Sequence, residues 1–182
     1  LIQTCPKTAF ISVTPERLFS LNGRTVQTEA IAGTRPRGAT LEDDRHLQQE
    51  LSTSVKDRLE HRIVHDSIAA ALSGLCTETK ASEVTVLCLP AVQHLMSQFS
   101  GELAAGLSVA DLVDALHPTP AVGGDPTAAA CRFLTDHEPF DRGWYAAMTT
   151  LNFERTGSAS AARHIGILER FMQLMRRTKF NG

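Results

Sequence analysis

The sequence predicts an α+β fold of antiparallel strands with packed helices. Three observations carry this expectation: an Asn22-Gly23 turn between apolar arms, short β-branched runs scattered along the chain, and stretches of helical periodicity opened by capping residues. Asn-Gly is a strong hairpin signal because the central residues of a tight hairpin turn adopt positive φ. Strands joined that way are antiparallel, which separates this layout from a parallel βαβ sheet.

In chain order, Ala9–Val13 is β-rich, and Leu18–Leu21 is joined to Thr25-Val26 through Asn22-Gly23-Arg24. The second arm runs through Thr28–Ala32 to Gly33-Thr34, after which Arg35-Pro36-Arg37-Gly38 reads as loop. From Leu41 the pattern turns helical, with Leu41, Leu47, Leu51, Val55, Leu59, Ile63, Leu72 and Leu75 as its apolar positions and Ser52-Thr53-Ser54 dividing a short helix from a long one. Val84–Leu89 is a strand that Pro90 confines to an edge or an end, and Val92–Phe99 is another. Ser108 with Asp111 forms a capping pattern before Leu112, Val113 and Leu116. Asp125-Pro126 reads as an N-cap and first helical residue opening a helix to about His137. The last stretch, 148–182, is a basic tail with Ile165, Leu168, Met172 and Met175 on one helical face, and is set apart from a domain over 1–147.

The chain has 182 residues, 42% of them hydrophobic, enough for one ordinary core. A net charge of −2 supplies no general basic surface for nucleic acid, whose phosphates must be neutralised. No apolar run approaches the roughly 20 residues that span a bilayer, so no membrane role is expected. Cys5, Cys76, Cys88 and Cys131 are widely separated and form no CxxC pair, which points to free thiols. The sequence opens at Leu1, almost directly in a strand-like pattern, and is read as a fragment.

Its most distinctive stretch is His117-Pro118-Thr119-Pro120-Ala121-Val122-Gly123-Gly124, followed by a helical run and Glu138-Pro139-Phe140-Asp141-Arg142-Gly143-Trp144-Tyr145. Prolines fix φ and glycines permit close backbone approach, which suits a binding-site wall as well as a plain connector. Glu16 stands in Thr14-Pro15-Glu16-Arg17-Leu18, where a glutamate beside an arginine also reads as a surface ion pair. Lys56-Asp57-Arg58-Leu59-Glu60-His61 lies on the long helix. His61 and His65, four residues apart, could be zinc ligands or part of a solvated face.

In this order the motifs resemble those of the isochorismate synthases, among the chorismate-utilising enzymes that include anthranilate and salicylate synthases. The resemblance covers roughly Ala9 to Tyr145 and implies part of the fold of that family. It implies that Glu16, in a variant of S-P-E-R-L, is the general acid for the departing C4 hydroxyl of chorismate. It implies that the backbone of Gly33 and Thr34, in T-E-A-I-A-G-T, approaches a substrate carboxylate, and that His94, in Gln93-His94-Leu95, lines the pocket. Glu60 is the implied Mg²⁺ ligand, and Ala121 shapes the neighbourhood of the ring, where anthranilate- and salicylate-type members carry serine-containing patterns. The family's base lysine is expected upstream of Leu1, and its later arginine and second metal glutamate find no match after Tyr145. The expectation is therefore a chain inactive by itself, with an anthranilate or salicylate synthase relative and a non-catalytic module paired with a complementing chain as the alternatives.

Overall fold

The computed structural model describes residues 2–5, 8–10 and 17–139, which fall into two compact units, one of 1–16 with 132–182 and one of 17–131. In the first unit, β1 (Ile2–Cys5) and β2 (Thr8–Phe10) pair antiparallel. The tail from 148 onward, its boundary at 147, and residues 11–13 of the first predicted strand lie outside the described residues.

The second unit is a five-stranded antiparallel sheet with helices on one face. Its strands are β3 (Ser20–Asn22), β4 (Thr25–Pro36), β5 (Cys76–Ala81), β6 (Thr85–Cys88) and β7 (Val92–Leu103). They run in the order β3-β4-β7-β5, with β6 beside β7 as well. The hairpin forms one residue later than the sequence suggests: Asn22 pairs with Thr25, leaving Gly23-Arg24 as the loop, with Gly23 at φ +61°. β5 was not expected, because its Thr-Glu-Thr-Lys face is almost wholly exposed and carries no apolar alternation.

α1 (Leu41–Thr53) and α2 (Val55–Leu75) are separated by Ser54, whose side chain caps α2 by accepting from the Asp57 N–H at 3.3 Å. α3 (Val109–Leu116) begins at Ser108, whose N–H donates to Asp111 Oδ2 at 2.7 Å, as the capping pattern foretells. The Pro-Thr-Pro loop contains a short turn of helix, α4 (Pro120–Gly123). A Cβ on Gly123 would stand 2.7 Å from Pro118 Cγ, so glycine is what lets this loop close on itself. α5 (Thr127–His137) starts one residue beyond Pro126, so Asp125 does not cap it. Cys76, Cys88 and Cys131 form no disulfide, and no helix among the described residues is long and apolar enough to cross a membrane.

Val26 and Ala30 of β4, Phe99 and Leu103 of β7, Ile68 and Leu72 of α2, and Leu112 and Leu116 of α3 form the core. A fully buried leucine such as Leu72 contributes about 1.5–3 kcal/mol. The phase of α2 differs from expectation. Val55 and Leu59 are 83% and 56% exposed, while Asp57, His61, Val64, Ile68 and Leu72 face inward. The first two turns of the helix thus bury polar side chains and expose apolar ones, an inversion that only the partners across the interface can make favourable.

Arg37 locks the end of β4 to α1 and to the β6–β7 connection. Its guanidinium donates to Asp44 through two nitrogens, at 2.8 and 2.7 Å, and to the Leu89 carbonyl at 2.9 Å. Gly38 must be glycine here, since a Cβ would come within 2.1 Å of the Asp44 nitrogen. Hydrogen bonds from Arg37 and from the Gly38 N–H hold the Asp44 carboxyl down at about 2. Because that value lies below the ordinary one of about 4, the stabilisation is complete above about pH 4 and is lost as pH falls toward about 2. Asp44→Asn is expected to flatten this acid limb of the stability curve, measured by urea unfolding across the same range.

Candidate active site

A single register shift in β4 builds the site. Up to Ala32, opposite Leu95, the even-numbered residues of β4 face the helices; beyond it Thr34 pairs with His94 and Arg35 with Gln93, leaving Gly33 as the extra residue of a bulge. The extra residue reverses the alternation, because side chains of a strand change face at every step. Thr34 therefore emerges on the open face beside His94, and Arg35 turns toward α2. The sequence suggested a loop from Arg35, but pairing continues beyond the bulge to Pro36 and Val92.

Gly33 has φ +75° and is buried. A Cβ there would lie 3.0 Å from the Asp57 Cβ and 3.4 Å from Leu51 Cδ1, so the first turn of α2 rests directly on the bulge. Arg35 Nη2 donates to Asp57 Oδ2 at 2.7 Å. Burial acts to raise the Asp57 carboxyl, but the Ser54 and Arg35 hydrogen bonds and the charges of Arg35 and Lys56 outweigh it and hold it below the usual carboxylate range. Asp57, Arg35 and Ser54 were not singled out from the sequence. The Ser-x-x-Asp spacing of Ser54 and Asp57 was the available signal.

On the open face, His94 Nδ1 lies 3.0 Å from Thr34 Oγ1 and 3.3 Å from the Gly33 carbonyl oxygen. Gly33, Thr34 and His94 are thus brought together. Glu60 stands one helical turn beyond Asp57, whose Cβ touches the bulge, and residues three apart on a helix lie about 5–6 Å apart at Cβ. Its half-exposed carboxylate lies 3.5 Å from the i−4 ammonium of Lys56. Such an oxygen donor suits Mg²⁺, which keeps several waters and takes few protein carboxylates. Among the described residues no group of three or more His, Cys, Asp or Glu could hold a metal.

Ala121 is exposed on α4, which packs against α2, the helix that carries Glu60. No hydrogen bond ties it to Thr34 or His94. Glu16 lies outside the described residues, and Arg17, its neighbour, pairs with Glu29 across the hairpin. Residues 140–145 of the second motif lie outside them too.

The histidine pair of α2 is not a solvated face, and no third zinc ligand stands with it among the described residues. His61 is 3% exposed, and the Ser97 hydroxyl lies 3.4 Å from its Nε2 and 2.9 Å from His65 Nδ1, with Phe99 against the His65 ring. Burial, then the neighbouring His65, depresses the basicity of His61.

The protein family described as Chorismate binding enzyme matches residues 2–155. The chain is 38% identical over 162 residues to isochorismate synthase MenF of Bacillus subtilis, covering 88% of this chain and 34% of that protein. It is 41% identical over 139 residues to the salicylate biosynthesis isochorismate synthase of Pseudomonas aeruginosa, covering 76% and 29%. A solved structure of a 2,3-dihydroxybenzoate-specific isochorismate synthase, DhbC, from Bacillus anthracis superposes with a TM-score of 0.64 at 39% identity, covering 71% of this chain and 35% of that one. The chain spans about a third of the length of the curated relatives it matches.

Two outcomes follow. Gly33→Ala would force a side chain into a left-handed conformation and against Asp57, and is expected to cost about 1–3 kcal/mol by chemical denaturation. The depressed His61 binds a proton more readily unfolded than folded, so stability is expected to fall as pH drops below about 6.5. His61→Leu should remove that part of the slope in thermal unfolding followed across about pH 5–8.

Proposed function

This chain belongs to the chorismate-binding enzyme family, and we propose that it supplies part of an isochorismate synthase. In that reaction water adds at C2 of chorismate and the C4 hydroxyl departs. The observation that carries the reading is the Gly33 bulge, which sets a glycine backbone, Thr34 and His94 on one face and rests on the helix turn leading to Glu60. Gly33 is itself buried against α2, and the polar side chains that the bulge leaves on the other face are those of Thr34 and His94.

In this reading Glu16 protonates the leaving hydroxyl, as its motif implies. The Gly33-Thr34 backbone receives a carboxylate of the substrate, His94 lines the pocket, and Ala121 leaves room beside the ring. Glu60 holds Mg²⁺ through one carboxylate, and the ion's part is to neutralise negative charge on the bound dianion. The sequence offers no match for the base lysine, the carboxylate-binding arginine or the second metal glutamate of the family motifs. Residues 1–182 alone are therefore inactive, since removing members of a cooperating set costs decades of rate.

The test is a chimera in which residues 2–155 replace the matched segment of the Bacillus subtilis isochorismate synthase. With chorismate and Mg²⁺ it is expected to form isochorismate. Glu60→Gln in the chimera should lower kcat/KM by about a hundredfold or more and abolish the response to added Mg²⁺. Anthranilate formed with ammonia, or salicylate as sole product, would overturn the assignment. A folded chimera without turnover would leave a non-catalytic module, and turnover by purified 1–182 would overturn the inactivity.

A further inference from the structure

The open face carries one side chain whose hydrogen-bonding sense the structure constrains. His94 Nδ1 meets two oxygens, the Gly33 carbonyl at 3.3 Å and Thr34 Oγ1 at 3.0 Å. A carbonyl oxygen can only accept, so a bare Nδ1 facing it would set two lone pairs against each other. A hydroxyl can do either. Both oxygens are satisfied together only when the Nδ1 hydrogen is shared between them. Neutral His94 then has an unprotonated Nε2, and that atom has no hydrogen-bond partner among the described residues.

We propose that the Gly33 carbonyl holds His94 in the Nδ1–H tautomer, so that its Nε2 accepts a hydrogen bond from a hydroxyl of the ligand rather than meeting one of its carboxylates. Thr34 Oγ1 meets the same nitrogen and orients the ring, but its hydroxyl would serve either tautomer, so the carbonyl decides between them. The device depends on the bulge, since only the extra residue at Gly33 places Thr34 across from His94 and leaves the Gly33 carbonyl within reach of the same nitrogen. It leaves the imidazole presenting a lone pair, which suits a hydroxyl and repels a carboxylate. The identity of the ligand rests on the reading above; the tautomer does not.

The experiment is nitrogen-15 NMR of the imidazoles in the 182-residue chain at alkaline pH, with His94→Gln to assign the signal among the seven histidines. The expected wild-type pattern is a protonated, pyrrole-type Nδ1 and a bare, pyridine-type Nε2. Thr34→Val and Thr34→Ser, which both leave the Gly33 carbonyl in place, should keep that pattern. A protonated Nε2 in the wild type overturns the proposal, and loss of the Nδ1 proton in Thr34→Val would show that the hydroxyl, not the carbonyl, sets the tautomer and would overturn it too. Chorismate with Mg²⁺, added to the chimera, is expected to shift the Nε2 signal while Nδ1 stays protonated. Chorismate-induced changes elsewhere that spare His94 would overturn the acceptor role. A spectrum with no response at all would count against the chorismate reading, with the tautomer still decided by the ligand-free spectra.

Discussion

The contact between the Gly33 bulge and the first turn of α2 is the constraint on which the rest of the second unit depends. Backbone and helix meet so closely that a Cβ at Gly33 would stand 3.0 Å from that of Asp57. That proximity fixes where α2 begins relative to the sheet, which residues of α2 face inward, and which side of β4 carries Thr34. It also brings Arg35 to Asp57, an ion pair whose members are 28% and 6% exposed. Such a pair is held less for net stability than for placing its members, because breaking it leaves a charge with little water around it.

The helix–sheet interface is correspondingly polar at one end and apolar at the other. Near the bulge it contains Asp57, His61, Ser97 and Gln93, and further along it passes into Val64, Ile68, Leu72 and Phe99. Most of the buried polar atoms have partners: Ser97 lies between two imidazoles, and Gln93 Nε2 donates to the Pro36 carbonyl at 3.2 Å. Gln93 Oε1 is buried without one, a cost of about 1–3 kcal/mol. Concentrating polar groups here weakens the core locally and gives the first turns of α2 a defined position, the property a site on its edge needs.

The sequence motifs and the structure divide the site between them unevenly. Glu60, Gly33, Thr34 and His94 were each legible as positions in a pattern, and the fold gathers the last three around one nitrogen atom. Glu60 lies one turn beyond Asp57 on α2, the helix that rests on the bulge. Arg35, Asp57 and Ser97 were not legible, because their importance lies in pairs separated by 22 to 36 residues along the chain. His61 illustrates the same point. In sequence it is a histidine among charged neighbours, and in space it is buried against β7.

By itself the sequence determined the things that local chemistry decides. The Asn22-Gly23 turn, the Ser54 break between two helices, the Ser108 and Asp111 cap and the confinement of the strand before Pro90 all depend on residues within a few positions of one another. Tertiary structure decided the phase of α2, the unexpected edge strand β5, the extension of β4 past Gly33 and the face on which Thr34 and His94 meet. A helix with apolar residues on two sides has no intrinsic inward face, and a strand has no intrinsic register. Each acquires them only from the surface it packs against, where a buried charge finds its partner or one extra glycine shifts the pairing by a step.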